Sequence, residues 1–409
     1  MAFPICMGVV PLSFQGYCLG GMNGCTPLSQ GKRKLELGEA QIKTRQPMKQ
    51  NSESVYQPRR FNLSCKSVQT TTTPAAVAGF RILDGTENPT TSIKERVEKL
   101  VSNQRTLLAD VELKKQRPLD LTLLDQFHGN YIPKSDLLKV AYDHCREIFV
   151  KAEESLSFAW GKRLDELVDG INGSHATNDV VDRWKQSTFD AFQGRPWNIY
   201  DVALSDTVSK FPLEIQLFKD IIEGVRSDMT KKRFQNFDEL YLYNYHNGSA
   251  FFLLLAQAMG ISAESKASLE NVYHGMITFG VGFSLMDQLR DVGPDARMGR
   301  IYLPQDELLA AGLSDDDVFR GKVTDKWRKF MKGQIERARV LLDEGSSLVI
   351  QEMNDDVGWG FWALAIIAKE ILDVIEANDY ETFTRETYVG KPKILLNLLL
   401  AYAKSLGLF

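Results

Sequence analysis

Asp287-Gln288-Leu289-Arg290-Asp291-Val292-Gly293-Pro294-Asp295 places three carboxylates at steps of four residues, with an arginine among them. Steps of four bring side chains onto one face of a helix, so this spacing predicts a helical segment with an acidic face. A second stretch, Asp165-Glu166-Leu167-Val168-Asp169, repeats the step with Asp165 and Asp169. Like charges at that spacing repel unless something positive binds between them. One such pair in a chain with 53 acidic residues carries little weight. Two pairs, each beside apolar sequence (Leu167 and Val168; Phe283, Leu285, Met286 and Leu289), carry more, because acids in apolar surroundings line clefts or face bases. Asp315-Asp316-Asp317 is a contrast: it follows Gly312-Leu313-Ser314 and reads as a capped helix start.

Working outward from these motifs, the pattern is helical from Ser92 to the end. Ser92 followed by Glu95 has the form of a capping box, with Val97, Leu100 and Val101 at helical spacing after it. Leu137, Leu138, Ala141 and Cys145 keep that spacing, as do Phe330, Met331, Ile335 and Ala338. Glycine and proline punctuate it at 170–173, 194–196, 293–294 and 390–392, and no internal repeat is found. The expected fold is all-α, with one large helical domain over 137–409 and an N-terminal extension over 81–136.

Residues 1–80 differ in composition. They are rich in Ser, Thr, Gln, Gly and Pro, carry basic clusters at Lys32-Arg33-Lys34 and Arg59-Arg60, and hold only Glu36, Glu39 and Glu53 as acids. That is the composition of an organelle transit peptide. Plastid and mitochondrion are not separated by composition, although the lack of an Arg-rich amphipathic face leans towards plastid. Removal of this tract leaves Cys145 as the one cysteine, so no internal disulfide is expected. The five histidines are scattered without an HExxH, so a metal site must use oxygen ligands. A net charge of −4 argues against nucleic acid as a partner. The longest apolar runs, Ala250–Ile261 and Trp359–Ala368, are too short to span a bilayer and read as core helices. Gly280-Val281-Gly282 lacks the third glycine and preceding strand of a dinucleotide-binding turn.

The motifs together resemble those of plant phytoene synthases, within the squalene/phytoene synthase group. The resemblance rests on Asp165–Gly170 (DELVDG), Asn236–Tyr243 (NFDELYLY), Asp291–Pro304 (DVGPDARMGRIYLP), Gln305–Leu313 (QDELLAAGL), Thr324–Arg328 (TDKWR) and Ile375–Tyr380 (IEANDY). It runs from about Leu137 to Leu408. It implies an isoprenoid-synthase fold with a central cavity and head-to-head condensation of two geranylgeranyl diphosphates to phytoene through a cyclopropyl diphosphate. It implies Mg²⁺ or Mn²⁺ and no NADPH, and a plastid location. Its implied partners are geranylgeranyl diphosphate, a plastid membrane touched peripherally and the synthase that supplies the substrate. By the same resemblance Asp165, Glu166, Asp169, Asp291 and Asp295 are the expected metal ligands. Arg290, Arg297 and Arg300 are expected to hold diphosphate oxygens or neutralise the acidic faces, with Arg163, Ser157, Phe158, Asp287 and Tyr302 as further substrate contacts. Tyr241 and Tyr245 match tyrosines on the helix lining the family's cavity, where an aromatic face stabilises a carbocation; plain core packing is the competing reading.

Three departures from the family pattern stand out. About twenty residues are missing between Ser157-Phe158 and Asp165, a length that as helix would span roughly 30 Å. His246-Asn247-Gly248-Ser249-Ala250-Phe251-Phe252 replaces small residues with two phenylalanines, which would narrow a prenyl tunnel or repack the core. Asp287 stands where the family has Asn, and Pro294 inside the second motif is expected to turn Asp295 away from Asp291. These departures keep open two alternatives: a weakened homologue serving as a scaffold or regulatory subunit, and a squalene- or dehydrosqualene-type condensation.

Overall fold

Long apolar stripes at 3.6-residue spacing assemble here into packed helices, and no strand occurs among the described residues. The computed structural model describes residues 89–127, 136–151, 160–161, 163–164, 177–260, 268–349, 352, 355–385 and 387–405. The tract read as a transit peptide and the first acidic motif lie outside them. All described residues fall in one unit, comprising 1–16 and 72–409.

The elements are α1 (Pro89–Lys115), α2 (Thr122–Phe127), α3 (Leu137–Lys151), α4 (Asn178–Phe192), α5 (Ile199–Lys210), α6 (Ile215–Thr230) and α7 (Phe237–Asn244). A π-helical turn at Tyr245–Ser249 joins α7 to α8 (Ala250–Met259). There follow α9 (Leu269–Arg290), α10 (Val292–Arg297), α11 (Gln305–Ala310), α12 (Asp315–Arg320), α13 (Asp325–Val349), α14 (Asp355–Ala377) and α15 (Lys391–Ser405). Ser314 and Asp317 form the capping box read from the sequence, which removes the Asp315–Asp317 run from the candidate sites. Ser92, read as the start of the helix, lies inside α1, which already starts at Pro89. Proline costs nothing at a first helical position, where its missing N–H would have no partner, so it nucleates the helix one turn earlier.

α9 is the axis of the fold. It is buried along nearly its whole length, from Val272 to Arg290, and packs most heavily on α13. Glycines set that approach: a Cβ on Gly345 would come 2.3 Å from the Phe279 backbone nitrogen, and one on Gly282 would meet Leu341 and Leu342 at 2.9 Å. Gly280 serves the opposite face, where a Cβ would sit 2.6 Å from Ser249 Cα. The two glycines dismissed as an incomplete nucleotide fingerprint are therefore close-packing positions. Phe252, placed among the departures, joins Phe279, Phe283 and Phe361 in a cluster with centroid separations of 5.1–5.8 Å from its own ring.

α1, from the segment read as an extension, shares this core. Ile93, Val97 and Leu100 are buried in it, and Tyr273 of α9 donates from its hydroxyl to Gln104 Oε1 at 3.1 Å. Arg96 pairs with the buried Asp220 of α6 at 2.9 Å and lies over the Tyr245 ring at 5.3 Å. Arg96→Ala should therefore cost about 2 kcal/mol, less than for a fully buried pair because Arg96 is a third exposed. Urea denaturation checks this; an unchanged midpoint would detach α1 from the folding unit.

Candidate active site

The second acidic motif sits at the junction of α9 and α10. Asp291 ends α9 with φ −100° and ψ 19°, and α10 starts at Val292. Pro294 falls in the first turn of the new helix, where a missing N–H is tolerated. The backbone N–H of Asp295 still donates to the Asp291 carbonyl at 2.9 Å. The expectation that Pro294 turns Asp295 away is corrected: Asp295 is 2% exposed, and the Asp291 charge acts on it directly. The break falls before the motif's last step and leaves that step intact. A close approach fixes the junction, since the Gly293 N–H donates to the Thr382 carbonyl at 3.1 Å and a Cβ there would meet the Phe383 carbonyl oxygen at 2.1 Å.

Charge inside the junction is balanced by Arg290. Its Nη1 lies 2.9 Å from Asp287 Oδ1, and its Nε donates to Asp291 Oδ1 at 2.9 Å while Nη2 reaches Oδ2 of the same carboxylate. All three side chains are 10% exposed or less. Of the two roles expected for Arg290, neutralising the acid face is the one it occupies here. Burial pushes the Asp287 carboxyl up to about 7, the Arg290 charge opposes this, and Asp291 adds to it. Neither Asp287 oxygen meets a donor at hydrogen-bonding angle. Burial also holds Asp295 well above the usual carboxylate range; Asp291 and Asp228 reinforce the rise, and Arg300 and Arg290 oppose it.

Asp228 is the residue that sequence reasoning missed. It lies on α6 in no motif, yet Tyr243 of α7 donates to its Oδ1, and Tyr302 Oη approaches the same oxygen at 3.4 Å. Tyr302 is buried against the Phe234 and Tyr243 rings at 5.6 and 5.3 Å, which seats the Gly299–Pro304 segment beside the acids. Four helices thus converge on one cluster: Asp228 from α6, Tyr243 from α7, Asp287 and Arg290 from α9 with Asp291 at its end, and Asp295 from α10.

The other expected residues are dispersed. Arg297 donates from Nη1 to the Phe383 carbonyl at 2.8 Å and ties down the 378–387 segment. Tyr245 is fully buried and donates to Asp220 Oδ2 at 2.8 Å, away from the acid cluster's own bonds; burial and Asp220 raise its hydroxyl far above the ordinary value. Tyr241 meets Phe237 edge-on at 6.1 Å, and burial with Glu344 nearby pushes its hydroxyl up to about 12. Arg163 lies over the Tyr200 ring at 3.8 Å and the Trp184 ring at 5.0 Å, with Nη1 3.4 Å from Asn198 Oδ1. Ser157, Phe158, Asp165, Glu166, Asp169 and the shortened segment before Asp165 lie outside the described residues.

Hard carboxylate oxygens in a buried, self-repelling cluster fit a divalent cation. No three acidic, His or Cys side chains among the described residues are grouped to hold one by themselves. The described part of the junction therefore does not by itself make a complete cation site.

Comparison with known proteins agrees with this arrangement. The squalene/phytoene synthase family model matches residues 158–393. The chloroplastic phytoene synthase of Daucus carota is 42% identical over 375 residues, covering 85% of this chain and 92% of that protein. Phytoene synthase 2 of Solanum lycopersicum, also chloroplastic, is 49% identical over 287 residues, covering 66% and 92%. Among solved structures, a dehydrosqualene synthase in complex with ligand matches with TM-score 0.56 at 18% identity, covering 75% of this chain and 99% of that one. A squalene synthase from Alicyclobacillus acidocaldarius matches with TM-score 0.51 at 20% identity, covering 68% and 97%. The helical fold, the acid junction between α9 and α10 and these sequence matches lead to one conclusion: the chain belongs to the squalene/phytoene synthase family.

Proposed function

We propose that this protein condenses two geranylgeranyl diphosphates head to head to phytoene, in the chloroplast, as a prenyltransferase of carotenoid biosynthesis. The observation that carries this reading is the 42% identity to a phytoene synthase maintained over 85% of the chain. The named relatives are chloroplastic, the location that the resemblance implied; the composition of residues 1–80 indicated an organelle transit peptide and only leaned towards plastid.

Ionising an allylic diphosphate requires stabilising a departing polyanion. Asp291 and Asp295, together with Asp165, Glu166 and Asp169 of the first motif, would hold Mg²⁺ or Mn²⁺. When bound, the metal supplies the charge that stabilises the leaving diphosphate and fixes its orientation. Arg290 keeps the acid face from repelling itself before substrate arrives, and Arg300 adds positive charge at its edge. Asp228 holds the Tyr243 and Tyr302 hydroxyls, so the rings beside the site are fixed in orientation. Burial of this cluster excludes water that would quench a carbocation. The reaction needs no nicotinamide. Contact with the synthase that supplies the substrate, and with a plastid membrane, belongs to the same reading.

The test is incubation of the chain with geranylgeranyl diphosphate and Mg²⁺, followed by mass spectrometry of the organic extract. Phytoene is expected. A folded protein giving squalene-type product from farnesyl diphosphate, or no hydrocarbon from either substrate, would overturn the proposal. Metal binding should also relieve repulsion among the carboxylates, so Mg²⁺ should raise the melting temperature and chelation lower it by several degrees. An identical melting curve with and without metal would count against the paired-carboxylate site.

A further inference from the structure

Two motifs of the sequence, Thr324–Arg328 and Ile375–Tyr380, supply none of the acids of the α9–α10 junction, yet the fold brings them together. Thr324 Oγ1 accepts from the Trp327 backbone N–H at 3.2 Å, which sets Trp327 and Arg328 near the start of α13. α14 ends at Ala377 in a turn closed by two backbone bonds. The Asp379 N–H donates to the Glu376 carbonyl at 3.0 Å, and the Tyr380 N–H to the Ile375 carbonyl at 2.9 Å. Such a turn commonly takes glycine at its left-handed position. Here Asp379 and Tyr380 hold φ of 59° and 60°, the two positive values outside glycine among the described residues. A bulky side chain in that conformation stores strain and persists only where surrounding contacts hold it.

Those contacts come from α13. Arg328 grips Asp379 with both prongs of its guanidinium, Nε to Oδ1 at 2.8 Å and Nη2 to Oδ2 at 2.7 Å. The Trp327 indole N–H donates to the Tyr380 carbonyl at 3.0 Å, and its ring packs on Phe383 with centroids 4.6 Å apart. The Glu381 carboxylate accepts from the Phe383 and Thr384 N–H groups at 2.8 and 3.0 Å, which fixes the bend that follows. The carbonyls of Thr382 and Phe383 are the ones that accept from the Gly293 N–H and from Arg297 Nη1. Gly293 lies midway in sequence between Asp291 and Asp295. Asp379 is 63% exposed and Arg328 37%, so their pair adds little to global stability, and its effect falls on the geometry of the turn.

We infer that Trp327, Arg328 and Asp379 are positioning residues that hold Asp291 and Asp295 at a fixed spacing for a divalent cation, through the 379–383 segment. The cation rests on the proposed function; the brace rests on the bonds just given. Carboxylates already held at one spacing lose less freedom when they close on an ion, so the brace raises affinity without touching the ion.

The test compares the full-length wild type with two variants. Trp327→Phe keeps a ring against Phe383 and removes the indole donor. Asp379→Asn tolerates the left-handed conformation and weakens the grip of Arg328. Val97→Ala, which opens a cavity in α1 and touches none of these bonds, controls for lost stability. Hydrogen exchange without added metal, read by mass spectrometry, should run about tenfold faster at 291–297 in Trp327→Phe, the scale of one lost hydrogen bond. Asp379→Asn should change it in the same direction, and Val97→Ala should not. The Mn²⁺ dissociation constant, read from the electron paramagnetic resonance of the free ion, should rise about tenfold in Trp327→Phe, the lower end of what groups behind a metal's ligands contribute. It should stay unchanged in Val97→Ala. Equal exchange at 291–297 in Trp327→Phe and Val97→Ala overturns the inference, as does an unshifted Mn²⁺ constant beside a wild type that binds the ion. A wild type that binds no Mn²⁺ counts against the proposed function, and the exchange rates still decide the brace.

Discussion

Asp291→Asn should leave a folded protein whose rate of phytoene formation falls by about a thousandfold. Asn keeps an acceptor for the Arg290 Nε, and Arg290 keeps Asp287 at 2.9 Å, so the junction retains a closed pair. The loss in stability should then be about 1 kcal/mol, the scale of one weakened hydrogen bond. What disappears is the negative charge that, on the proposed function, would hold the metal at the start of α10. Steady-state rates with geranylgeranyl diphosphate, beside circular dichroism and a urea melt, separate the two effects. Retention of activity within about tenfold of wild type would remove Asp291 from the site.

Arg290→Met should have the opposite profile, with stability as its first casualty. Met matches much of the side-chain volume but removes the one cation that contacts both Asp287 and Asp291. Both carboxylates are buried, and the Asp287 oxygens already lack donors at hydrogen-bonding angle. Removing one partner from a buried charge cluster costs about 3–5 kcal/mol. Added Mg²⁺ should recover part of that loss, because a divalent ion can stand in for the missing guanidinium. A urea midpoint unchanged from wild type would show that the acids do not depend on Arg290. An equal deficit with and without Mg²⁺ would show that the acids do not take a cation.

The grouping of Asp291 with Asp295 was legible in the sequence because its logic is local. Asp291 and Asp295 are one helical turn apart, and their spacing alone predicts a shared face. Asp228 was invisible for the opposite reason: its role comes from Tyr243 and Tyr302, 15 and 74 residues away, and from the charge of Asp295. A lone acid on an amphipathic helix has no signature until tertiary packing supplies its neighbours. Pro294 was legible as a helix breaker, but sequence does not say on which residue the break falls, and here Asp291 absorbs it. Ser92 shows a local signal losing to a stronger one, the proline three residues earlier. Gly280 and Gly282 were only set aside as a dinucleotide-binding turn, because their use is steric and depends on which helices cross them.

The π turn at Tyr245–Ser249 gives the molecule a phase joint. Its widened bond, from the Ala250 N–H to the Tyr245 carbonyl, fits one more residue into a turn than an α-helix holds. Everything after it is rotated by about 100° relative to an unbroken helix. That offset lets Tyr245 reach Asp220 on α6 while Phe252 turns into the phenylalanine cluster around α9 and α14. Removal of a single residue from 245–249 would let the turn relax to α geometry and leave both ends of the rod in place. The side chains of α8 would then keep their neighbours, because the lost residue and the lost bulge offset each other. A length change of one residue at this joint is thus absorbed within the turn, and the interior that α8 presents keeps its partners and leaves the acid cluster in place.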